Sequence, residues 1–181
     1  MKKLVLLVIV LAIMAGPVLA SPSDGQPYRL AFVTLPVYTA EPTDITVYNG
    51  WLQDEADAAG IGMGSGLGDG DTSWFVIGST AEVDARDNTG TNINVDGAGV
   101  PIYLTDMVTK VADDNYDLWD GDIDHIINTL ATGAVTPGHL WAYTGGSSLQ
   151  DGTKADGISN AGGPLGTAGE VVQGNGGQVD T

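Results

Sequence analysis

The chain contains no cysteine, and its six Lys and Arg residues face 23 Asp and Glu, a formal charge of −17. Without cysteine there can be no disulfide, no thiolate nucleophile and no thiolate metal site, so stability must come from a core, from bound ions or from a partner. With so little positive charge, nucleic acid is not a partner the composition supports. Glutamate is scarce as well. Only Glu41, Glu55, Glu82 and Glu170 occur, and the remaining nineteen acidic residues are aspartates. Aspartate forms turns, caps and calcium sites where glutamate favours helix, so the bias argues for a loop-rich protein. Nor does any apolar run reach the ~20 residues of a membrane-spanning helix. The longest, Leu4 to Ala15, follows Met1-Lys2-Lys3 and precedes Gly16-Pro17-Val18-Leu19-Ala20. A charged start, a short apolar stretch and small residues before Ser21 are the pattern of a secretory signal peptide cut after Ala20. Export to the cell surface, the periplasm or the medium follows, and no span remains in the mature chain. Loss of Lys2 and Lys3 leaves four basic residues, Arg29, Arg86, Lys110 and Lys154, and a formal charge of −19.

After a linker at 21–28, Tyr28 to Tyr38 clusters apolar residues as a half-buried strand does. Thr43 or Asp44 then caps a helix over about 44–59. Its apolar residues Ile45, Tyr48, Leu52, Ala56 and Ala59 fall at steps of three and four, and Gly60 stops it. The alternate-glycine run Gly60 to Gly70 fits no phosphate-binding pattern and reads as a surface connection. Ser73 to Thr80, SWFVIGST, reads as the central strand, with Val100 to Leu104 and Leu140 to Tyr143 as further short strands. Residues 151–181 include nine glycines and no aromatic residue, and they read as a Gly-rich segment that is either a loose wrap or disordered end, or the place where the chain stops before the strand that would complete the domain.

The segment Lys110 to Asn128, KVADDNYDLWDGDIDHIIN, has neither helical nor strand period. Val111, Tyr116, Leu118, Trp119, Ile123, Ile126 and Ile127 are expected in the core, while the aspartates between them seek water, backbone amides or a cation. Two EF-hand registers fail. From Asp120, the glycine and glutamate positions hold His125 and Ala131; from Asp113, the glycine position holds Leu118. What is carried forward is a calcium site of another type drawn from Asp113, Asp117, Asp120, Asp122 and Asp124, against the plain alternative of solvated turn aspartates. His125 and His139 lack partners at zinc-ligand spacing. No G-x-S-x-G occurs, and the carboxylates are too many for a glycosidase pair to stand out. Trp74, Trp119 and Trp141 are expected as structural anchors. Arg86, between Asp84 and Asp87, is expected to be buried or half-buried and to hold loop to loop through bidentate bonds, the alternative being a clamp on an anionic ligand; Asp87 is expected beside it as a structural residue.

The ordered blocks VYNGWLQDEADAAG, WFVIGST, VDARDNTGTNINVDGAGVPIYL, KVADDNYDLWDGDIDHIIN, LWAYTGG and DGT, over about residues 29–153, resemble an extracellular domain of PEP-CTERM-type surface proteins from planctomycete-like bacteria. That domain is in turn similar to a bacterial family of unknown function with a C-type-lectin-like fold. The resemblance implies an α+β, C-type-lectin-like domain over 29–150 with one main helix, short antiparallel strands and long loops. Trp74 would take the place of the fold's central-strand tryptophan. The Glu-Pro-Asn or Gln-Pro-Asp and Trp-Asn-Asp sugar motifs of animal C-type lectins are missing. The function implied is a non-enzymatic binding or surface-matrix module for extracellular polysaccharide or a surface protein. The alternatives are a structural envelope or exopolysaccharide-associated protein without a specific ligand and, third, a hydrolase.

Overall fold

A computed structural model describes residues 26–35, 38, 41–62 and 72–136. The expected signal peptide, most of the glycine run, Trp141, His139 and everything after residue 136 lie outside the described residues. Within them the fold is mixed α and β. Strand β1 is Arg29–Ala31, helix α1 Ile45–Ala58, and α2 Ala85–Asn88 and α3 Ile93–Asp96 are single turns. Strands β2, Ile102–Leu104, and β3, Lys110–Ala112, precede a last turn of helix, α4, Asn115–Leu118.

The sheet runs in the order β1-β2-β3, with β1 parallel and β3 antiparallel to β2. All three residues of β2 are buried, as an uninterrupted apolar central strand requires. The sequence expectation placed the centre of the sheet at Ser73 to Thr80; the centre is Ile102–Leu104. The β2–β3 connection is held by Asp106, whose carboxylate accepts bonds from the amides of Val108 and Thr109 and from the Thr109 hydroxyl. Burial pushes the Asp106 carboxyl upward, but those donors outweigh it and leave it below the usual carboxylate range. The main core gathers Ala31, Ile102, Leu104, Val111, Ala112 and Ile123, with Leu118 and Ile127 against it.

Helix α1 begins where the Asp44 carboxylate accepts the Thr46 amide at 2.9 Å, and Gly60 ends it at φ 76°, a conformation that strains any residue with a Cβ. Its buried Ile45 and Tyr48 form a second cluster with Trp51, Val76 and Val83. Among the described residues, residues 72–76 form no ladder with another strand. Their partner is the helix: the Trp74 amide donates to Gln53 Oε1 and the Val76 amide to Asn49 Oδ1, both at 2.9 Å. Two residues of extended chain advance about 6.6 Å and four residues of helix about 6 Å, so an i, i+4 pair of amide side chains can serve alternate residues of a strand-like segment. Asn88 completes the arrangement, donating to the Val76 carbonyl at 2.8 Å and exchanging bonds with the Asn49 amide.

Candidate functional site

The Lys110-to-Asn128 segment starts as β3 and turns at once into α4, and its aspartates make that turn. The Asp114 carboxylate caps α4 by accepting from the Tyr116 and Asp117 amides at 2.7 and 3.0 Å. Asp117 reaches back to accept the Asp113 amide at 2.7 Å, a reciprocal arrangement close to a capping box. Asp120 accepts the Asp122 amide at 3.0 Å. Of the expected core residues, Val111 and Ile123 are buried, Leu118, Trp119, Ile126 and Ile127 are half-buried, and Tyr116 is 64% exposed. The core assignment of Tyr116 is therefore corrected: α4 is a single turn whose inward side is taken by Asn115, and the ring is left outside.

Asn115 is fully buried and gave no signal in the sequence. Its amide nitrogen donates to the Gly97 carbonyl and its backbone amide to Ala98, at 2.9 and 2.7 Å, while its Oδ1 is buried without a partner. A Cβ at Gly99 would meet this side chain at 2.5 Å, which is the reason a glycine stands there. The spaced glycines around Ala98 were the only visible trace of that close approach.

Of the five candidate metal ligands, Asp113, Asp117 and Asp124 each present an oxygen within 4.8 Å of the others. Asp120 and Asp122 are not in the group. Ligand oxygens on opposite sides of a calcium ion, at 2.3–2.6 Å each, lie about as far apart. Lys110 enters the same group, bonding Asp113 Oδ1 and, at 3.1 Å, Asp124 Oδ2. The Asp113 bond, then the Asp124 bond, raise the Lys110 ammonium above the usual lysine range. Three carboxylates and one ammonium leave a formal charge of −2, on a surface where Asp113 and Asp124 side chains are 71% and 46% exposed.

Trp74 is buried and donates its indole N–H to the Ile61 carbonyl at 2.9 Å; Trp119 donates to Thr91 Oγ1, also at 2.9 Å. Arg86 is half-buried, and its Nε has no hydrogen-bond partner among the described residues; Asp87 accepts from the Asn92 side-chain amide. The clamp is Arg29, whose two guanidinium nitrogens donate to the Thr89 and Gly90 carbonyls at 2.6 and 2.7 Å, where α2 ends and its dipole is negative. A strand residue sixty positions away cannot be matched to a helix end by inspecting neighbours in sequence.

For catalysis, no described hydroxyl is bonded to His125, whose Nδ1 lies 2.8 Å from the Ile126 carbonyl. A groove of about 180 Å³ between Phe32–Leu35, Ala58–Ala59 and Leu130–Thr132 is mostly aliphatic. It is smaller than the ~300–1,000 Å³ of ordinary small-molecule sites, and the polar residues in its lining are Glu55, Thr34 and Thr132. Among the described residues no helix is long and apolar enough to cross a membrane. Comparison of the chain with protein-family models, with curated proteins and with solved structures finds no match.

Proposed function

We propose that the protein is an exported, non-enzymatic module of C-type-lectin-like type that binds extracellular polysaccharide through the α4 face. The carrying observation is the exposed Tyr116 ring set in the turn that also bears Asp113, Asp114 and Asp117. An exposed aromatic face offers apolar stacking to the C–H face of a sugar. Carboxylates beside it accept hydrogen bonds from the hydroxyls. The signal-peptide pattern supports export, and the resemblance to PEP-CTERM-type surface proteins supports the fold and setting. Calcium enters as a competitor of Lys110 for the Asp113, Asp117 and Asp124 carboxylates. The test is a glycan array probed with and without calcium and again with Tyr116→Ala. Binding that survives chelation and is lost in Tyr116→Ala at unchanged melting temperature is the expected result. Absence of binding under both conditions would leave the structural envelope role in its place.

A further inference from the structure

The single turns α3 and α4 are tied to each other in opposite directions. The Trp119 indole, at the end of α4, donates to Thr91 ahead of α3 at 2.9 Å, and the Asn115 backbone amide, at the start of α4, donates to the Ala98 carbonyl behind α3 at 2.7 Å. Two such ties make the pair one surface. Its exposed side chains include apolar ones: Val95 is 78% and Ile93 38% exposed on α3, and the Tyr116 ring stands out from α4. None of the four residues of α3 is buried, so Ile93 and Val95 lie outside the core. Exposed apolar side chains gathered on one such surface mark a place where something binds.

We propose, building on the polysaccharide-binding reading above, that this face takes a cationic polysaccharide whose sugars carry free amines. Charge selects that chemistry. From Ile93 to Asn128 the sequence holds eight aspartates, and Lys110 is its only Lys or Arg. A neutral sugar draws only hydrogen bonds from such a surface, and an acidic one is repelled. Lys110 itself shows what these carboxylates accept, a primary ammonium held between Asp113 and Asp124. Asp117 presents an oxygen within 4.8 Å of those two and is not a partner in either Lys110 ion pair. In sequence Asp113 and Asp117 stand on either side of Tyr116, so a sugar stacked on the ring brings its ammonium to this pair of carboxylates. The negative face of the ring attracts an ammonium as well. A basic peptide would meet the same carboxylates, but only an amino sugar also carries a C–H face for Tyr116.

Titration calorimetry on the full chain decides it, with a glucosamine hexasaccharide, its fully N-acetylated counterpart and hexalysine as probes. The measurement is made at about pH 5.5, above the ordinary aspartate range and low enough to keep the sugar amines protonated. The free-amine oligomer should bind at least about tenfold tighter than the N-acetylated one, and raising sodium chloride from about 50 mM to about 500 mM should shrink that preference. Asp117→Asn, whose amide oxygen can still accept the Asp113 amide, should cut the preference severalfold. Asp54→Asn makes the same change of charge on the exposed side of α1 and should leave it intact. Asp113→Asn provides the same reading if Asp117→Asn fails to fold. Equal binding of the two oligosaccharides would overturn the proposal while leaving the polysaccharide-binding reading in place. Binding of neither would also overturn it, and the glycan array then bears on the broader reading alone. Hexalysine bound as tightly as the free-amine oligomer, or equal losses in Asp54→Asn and Asp117→Asn, would reduce the attraction to net charge and overturn it too.

Discussion

Three basic side chains lie among the described residues, and each meets its surroundings differently. Arg29 forks onto two carbonyls at the end of α2, Arg86 buries its Nε without a partner, and Lys110 gathers two carboxylates. Removing the first should cost about 1 kcal/mol, the scale of net hydrogen bonds at a partly wet site. Removing the second deletes an unsatisfied buried donor and should be neutral or stabilising. Urea unfolding of Arg29→Met and Arg86→Met should thus shift in opposite directions or leave only the first shifted; equal losses would contradict the assignment. For Lys110 the expectation concerns competition. With the ammonium in place, the natural protein should melt alike in calcium and in sodium of matched ionic strength. In Lys110→Met the three carboxylates are left without their cation, and calcium should stabilise the variant, by about 2.7 kcal/mol at a hundred times its dissociation constant. Asp124→Asn in that background should abolish the gain and Asp120→Asn should keep it; no gain in Lys110→Met would mean that the aspartates are turn formers alone. That aspartates cap this turn was legible from composition. Which three converge was not, because convergence depends on how β3, α4 and the return through Ile123 fold over one another.

At the scale of elements, α1 was legible almost to the residue, since its apolar period, its Asp44 cap and its Gly60 stop are all local signals. The strand after the glycine run was misplaced for an equally physical reason. Its apolar residues and alternation resemble those of a central strand, but its hydrogen bonds go to side chains, and Asn49 and Gln53 look in sequence like ordinary polar positions of a helix. These amides therefore carry a structural task. Asn49→Leu leaves the Val76 amide and part of the Asn88 amide without partners, and it should destabilise by about 2–3 kcal/mol. Asp54→Leu, on the exposed side of α1, should change little. Equal effects in thermal melts would show that the bonds to residues 74 and 76 add nothing.

For the molecule as a whole, charge and protonation set the working range. At −17 the folded chain concentrates its own repulsion, so raising sodium chloride from about 10 mM to about 500 mM should raise the melting temperature as the Debye length shrinks from about 30 Å to a few Å. Alkali should act the other way. Burial and the Glu55 carboxylate push the Tyr38 hydroxyl up to about 12; burial and then Glu41 raise Tyr48; Asp113 and Asp124 raise Lys110. Each group holds its proton more firmly folded than unfolded, so its contribution is whole below about pH 10 and is lost as pH rises through the folded values. Melts between pH 8 and 12 should decline mainly over the upper half of that range, with Glu55→Gln lowering the late tyrosinate absorbance step.

The parallel pairing of β1 with β2 joins Arg29 to Ile102. Closing a loop of about 70 residues costs about 4 kcal/mol of chain entropy before the first of those bonds is gained. Nothing in the first hundred residues can form this sheet alone, because its middle strand has yet to be made. A nascent chain is thus kept from premature closure by topology until its second half follows, and refolding of the full chain should accordingly be slow, as contact order dictates.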